Sequence, residues 1–131
     1  MELQKMKERV QDAMTLINSS DVDSLTLGIS ELESIRPDLQ KYVDSYPNDA
    51  DGHMEISKTY QIPIFIVMKL DTINDRPRAI SLMMQYISKS KEYAAKGKFH
   101  LEEYCRMSTN DPKMIDAARS VIKMLDNVLK T

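Results

Sequence analysis

The chain has no tryptophan, only two phenylalanines, three glycines and a single cysteine among its 131 residues. One cysteine, Cys105, rules out an internal disulfide and a thiolate-rich metal site, and a reducing cytoplasm is the expected setting. So little glycine and aromatic content argues against an all-β protein, which needs Gly-rich turns and aromatic strands. The longest apolar run, Ile62 to Met68, has seven residues, against about 20 for a bilayer span. The charged start, Met1 to Arg9, holds no apolar stretch of the kind a secretory signal requires. Neither a nucleophile elbow, a phosphate-cradling glycine loop nor an H-E-x-x-H pair occurs.

What is present points to helices. Hydrophobic residues make up 42% and charged residues 29%, with ten methionines, the balance of a globular chain rather than a disordered one. Size scaling gives about 7,000 Å² of folded surface, enough burial for one self-sufficient core. We therefore expect an all-α fold, a single domain over residues 1–131 built as a bundle of five or six helices.

Periodicity places the elements. Leu3, Met6, Val10, Ala13 and Ile17 form a three-four stripe that Met14 widens, and this narrow stripe makes the first helix a candidate for dimerisation. A second helix carries Val22, Leu25, Ile29 and Leu32, with Ser20 or Asp21 as its N-cap. Pro37 then either kinks this helix or opens a new one, because proline removes a donor and disfavours helical geometry at Arg36. Leu39, Val43 and Tyr46 keep the same frame, which favours the kink and puts Arg36 on the seam. After the loop Tyr46 to Gly52, a third helix should start near Asp49 or Asp51 and run to about Ile73, broken or kinked near Pro63. A fourth begins at Asn74 to Pro77, buries Ile80, Met83, Ile87 and Ala94, and ends at Gly97 as C′ residue. Met83 and Met84 are adjacent and cannot share one seam. Residues 99–107 form a short helix. A final, well-buried helix opens at Asp111-Pro112 with Met114, Ala118, Val121, Leu125 and Val128.

The groups that could carry chemistry are few. The loop Asn48 to His53 resembles a calcium loop at Asp49, Asp51 and Gly52, but Pro47 and Lys58 then stand where carboxylates are required, so helix capping explains it better. His100 and Cys105, five apart, point about 140° away from each other on a helix. His100 is expected at a surface or interface and Cys105 as a small core residue. Paired carboxylates such as Glu31/Glu33 and Glu102/Glu103 are expected on solvated faces. No metal, no cofactor and no catalytic group are assigned, and the chain is read as a non-enzyme.

Residues 55–70 resemble a helix-turn-helix, with Ser57 as the small residue, Gln61 at the turn, and Ile62, Val67 and Leu70 as anchors. Against it, Ile64, Phe65 and Ile66 occupy positions that should read base edges, and these side chains offer no hydrogen bonds there. Charge is the sharper signal. Residues 1–57 carry 5 basic and 12 acidic side chains, residues 58–98 carry 8 and 3, and residues 99–131 carry 5 of each. Such a split marks either internal pairing of the two segments or a basic face for an acidic partner. The expectation is a small regulatory or adaptor protein that binds another protein through 58–98. Arg76, Arg78, Lys89 and Lys91 are the contacts. The alternative is a nucleic-acid-binding regulator using the same face. No membrane partner is expected, and a homodimer is possible.

Overall fold

A computed structural model describes residues 2–19, 21–67, 75–108 and 110–131, with the side chain of residue 67 excepted. Six helices follow one another: α1 (Leu3–Ile17), α2 (Val22–Ser45), α3 (Ala50–Val67), α4 (Arg76–Ile87), α5 (Ser90–Met107) and α6 (Pro112–Leu129). No strand occurs among the described residues. The chain is an all-α bundle, and its 7628 Å² of exposed surface is close to the size-scaling value for one folded domain.

Three helix starts follow directly from local chemistry. Asp21, Asp75 and Asp111 accept a hydrogen bond from the backbone N–H of Asp23, Arg78 and Met114 respectively, each satisfying a donor that the first turn leaves free. Pro77 and Pro112 sit in first turns, where a missing N–H costs nothing. Around α3, which holds the centre, pack α5, α2, α4 and α1, while α1 lies along α2 and α6 along α5. The core runs from Met6 and Val10 through Ile29, Leu32, Ile35 and Leu39 to Ile56, Leu101 and Leu125.

Both interior prolines lie within continuous helices. α2 is one helix through Pro37, which sits on its exposed side. α3 passes unbroken through Pro63, which is buried. Proline at 63 leaves the carbonyl of Thr59, four residues earlier, without its helical donor. Arg36 supplies one instead: its guanidinium donates to the Thr59 carbonyl at 2.6 Å and to the Thr59 hydroxyl at 3.0 Å. A side chain of α2 thus closes the gap that proline opens in α3.

Several expected boundaries shift. The helix expected from Pro77 to Gly97 is interrupted nine residues earlier, at Ser88-Lys89. The Ser88 and Ser90 hydroxyls donate back to the carbonyls of Gln85 and Ile87, a local bonding that competes with helical propagation. Both interrupting residues keep right-handed backbone angles, so periodicity barely registers the break. Gly97 lies inside α5, not at a terminus. Residues 99–107 accordingly extend α5 and do not form a separate short helix. α3 is followed only to Val67, and its expected extension to Ile73 lies outside the described residues. α6 is less covered than expected, with only Ala118 and Leu125 buried.

Candidate functional site

α4 turns two apolar faces in opposite directions. Ala79, Leu82 and Tyr86 are buried, while Ile80, Met84 and Ile87 are 49%, 65% and 55% exposed. This corrects the expectation that Ile80 and Ile87 form the buried stripe. Two interleaved rows with helical spacing exist in this segment, and period alone does not say which one turns inward. The Ala79-Leu82-Tyr86 row, in frame with Tyr93, is the signal that distinguishes them. Met83 is half-buried beside the outward row, so the adjacent methionines do part company.

The four basic residues singled out from sequence frame this outward row unequally. Arg76 is the first residue of α4 and is exposed. Lys89 and Lys91 are exposed at the other end, about 18 Å away along a twelve-residue helix. The Lys89 ammonium lies 5.6 Å from the Tyr86 ring centre. Arg78 points toward α2, where it pairs with Asp23. That contact and Lys58–Glu55 are ion pairs that join the basic segment to the acidic one. Lys98–Asp126 joins the basic segment to the neutral C-terminal one, while Lys7–Asp51, Arg9–Glu31 and Lys96–Glu92 stay within a segment.

Beneath α4 lies a half-buried polar network. The Arg36 guanidinium lies against both the Tyr60 and Tyr93 rings, 4.3 and 4.6 Å from their centres, where the two rings meet edge-on. It also donates to Glu33 at 2.6 Å and to the Tyr93 hydroxyl at 3.1 Å. Tyr93 in turn donates to Glu33 at 2.8 Å, so Glu33 is not on a freely solvated face. Burial raises the Tyr93 phenol above its ordinary range, with the Glu33 carboxylate adding to it. Every strong donor here has an acceptor, which makes this an architectural joint between α2, α3 and α5.

The two histidines also meet, 47 residues apart. His53 and His100 are buried, with Nδ1 atoms 2.8 Å apart, and His53 Nε2 lies 2.8 Å from the Pro47 carbonyl. A carbonyl only accepts, so Nε2 of His53 carries the proton, and His100 Nδ1–H donates to His53 Nδ1. Burial, then the neighbouring His53, pushes His100 down to about 4. His100 is therefore a buried neutral residue and not a surface group, which the sequence spacing had no means to show.

The loop before α3 is a capping device. Asp49 accepts from the Tyr42 hydroxyl and, at 3.1 Å, from the backbone N–H of Asp51. Among the described residues no group of three or more His, Cys, Asp or Glu is placed to hold a metal ion. Cys105 is half-buried and burial raises its thiol, the reverse of what activates a nucleophile. The turn expected at Gln61 is absent: α3 continues through Gln61 to Val67, and the Gln61 side chain donates to Ser57 inside the helix stack, while the expected anchor Leu70 lies outside the described residues. Of the three supposed base-reading positions, Ile64 and Ile66 are buried and Phe65 is half-buried. Among the described residues no helix is long and apolar enough to cross a membrane. No protein-family model, curated protein or solved structure matches the chain.

Proposed function

We propose that this chain is a protein-binding module whose contact face is the outward side of α4. The observation that carries this reading is the exposed row Ile80, Met84 and Ile87, with Arg76 at one end and Lys89 and Lys91 at the other. Exposed apolar rows rimmed by polar groups are the usual form of a protein contact surface, and methionine adapts to a partner's shape. The cations at both ends select a partner segment with acidic residues flanking an apolar centre, an amphipathic helix being the simplest fit. Arg78 contributes less directly, since Asp23 already engages it. A reducing cytoplasm suits a chain with one thiol and no disulfide.

Nucleic acid is the alternative occupant of the same cations. It is disfavoured by the apolar row, because phosphate binding needs a continuous basic track. Capture from source-cell lysate onto the immobilised chain, with and without nuclease and eluted by salt, separates the two. The protein reading expects a nuclease-resistant partner that holds through moderate salt. Capture that vanishes with nuclease and falls steeply with salt overturns it.

A further inference from the structure

We infer that Ser81 is a phosphorylation site, and that a phosphate there switches off the α4 contact face. Arg76 and Arg78 stand five and three residues before Ser81, and Leu82 follows it. Ser81 alone among the serines and threonines of the chain has arginine at both positions. Serine kinases select substrates by such charge patterns. Two arginines with one residue between them lie on one side of an extended segment, where carboxylates of a kinase cleft take both by forked hydrogen bonds. In the fold, Ser81 is exposed at the edge of the outward row, three residues before Met84. With Thr26, Arg78 and Gln85 it lines a groove of about 230 Å³ between α4 and α2, so a phosphate carried there has both room and a guanidinium beside it.

The phosphoryl donor is a nucleoside triphosphate held by the kinase. Ser81 Oγ bonds to the γ-phosphorus, the bond to the β-phosphate breaks, the nucleoside diphosphate leaves, and the hydroxyl proton passes to a kinase carboxylate. A kinase takes its serine on an extended segment, so α4 must open locally and draw Leu82 from the core. Among the described helices α4 is the shortest, at twelve residues, too short to hold alone in water, and it packs mainly on α3 and α2. Such an element opens at lower cost than the core helices do. Once the helix closes again, Arg78 lies one turn from the phosphate. The phosphate brings a charge of about −1.5 to −2 and three strong acceptors, against the single charge of Asp23, whose pair with Arg78 is exposed on both sides and therefore weak. Arg78 turns from Asp23 to the phosphate. The same charge stands beside Met84, between cations that suit an acidic partner, and like charge then repels that partner. This consequence rests on the reading of α4 as the contact face, whereas the modification itself does not.

Two reactions of the full chain test the site: one with magnesium-ATP and an arginine-directed serine kinase, the other with magnesium-ATP and source-cell extract, both read by peptide mass mapping. The expected product of each carries phosphate on Ser81. Ser81→Ala should lose it, and Arg76→Ala with Arg78→Ala should slow its incorporation at least about tenfold, with unchanged far-UV helicity. Absence of phosphate from Ser81 in either reaction overturns the site, as does incorporation indifferent to both arginines. The switch is read separately, by capture from nuclease-treated lysate. The phosphorylated chain should hold its partner at least about tenfold more weakly than the native chain, and Ser81→Ala exposed to the same kinase should capture as the native chain does. Equal capture by the phosphorylated chain overturns the switch. A native chain that captures nothing contradicts the α4 reading instead, while incorporation at Ser81, which needs no partner, still decides the site.

Discussion

Arg36 donates to Thr59 in α3, to Glu33 in its own helix and to Tyr93 in α5, and it lies against two tyrosine rings. Arg36→Ala leaves the Thr59 carbonyl without a donor at Pro63 and strands a half-buried Glu33. We expect a loss of about 3 kcal/mol in chemical denaturation, within the range for breaking one side of a partly buried pair. Arg36→Lys should recover little, because a compact ammonium cannot donate along the fork or stack flat. His100 gives a second residue-scale expectation. Its folded pKa of about 4 lies below its ordinary 6.5, so the unfolded chain takes up the proton first. Its contribution is therefore complete above about pH 6.5 and is lost as pH falls toward 4, on the order of 2–3 kcal/mol. Thermal melts of the native chain and His100→Gln across that window check this, the variant showing the shallower decline. Arg36 was legible in sequence as a seam position through the frame that Val22 shares with Leu39. The histidine pair was not, since nothing local joins residues 47 positions apart.

At the scale of elements, two glycines answer opposite questions. A Cβ at Gly28 would lie 2.6 Å from Ile17 Cγ1 and 2.8 Å from the Ala13 carbonyl oxygen, and a backbone oxygen cannot move aside. Gly28→Ala should push α1 off α2 and cost about 1–3 kcal/mol. A Cβ at Gly97 would meet Leu125 and Tyr60 at 3.5 Å, an ordinary contact. Gly97→Ala should therefore be neutral or stabilise by up to about 1 kcal/mol through helix propensity, and urea midpoints of the two variants decide it. Gly97 was read from sequence as a terminator because glycine so often ends helices. Here its role is proximity, and the Ser57 hydroxyl of α3 donates to its carbonyl at 2.7 Å. α1 and α2 were legible because each has one apolar row and one face to bury. α4 was not, having two rows. The apparent helix-turn-helix failed for a related reason: Pro63 looked like a break until Arg36 arrived from another helix to satisfy Thr59.

For the whole molecule, the uneven charge is the most informative property the sequence displays, and among the described residues few ion pairs join its acidic and basic segments. Arg78–Asp23 and Lys58–Glu55 bridge the acidic and basic parts, while Arg76, Lys89 and Lys91 are exposed at the two ends of α4, whose Ile80 and Ile87 the periodicity alone turns inward. The candidate face was thus half legible: its charges by composition, its apolar centre only once Ala79, Leu82 and Tyr86 had taken the core side. The most direct measurement is quantitative capture from nuclease-treated lysate by three chains of equal helicity: native, Ile80→Glu with Met84→Glu, and Arg76→Glu with Lys91→Glu. The account predicts that the apolar variant loses the partner at least about tenfold, roughly 1.4 kcal/mol, and that the charge-reversed variant weakens most at low salt, where screening is least. Undiminished capture by the Ile80→Glu, Met84→Glu chain would contradict it.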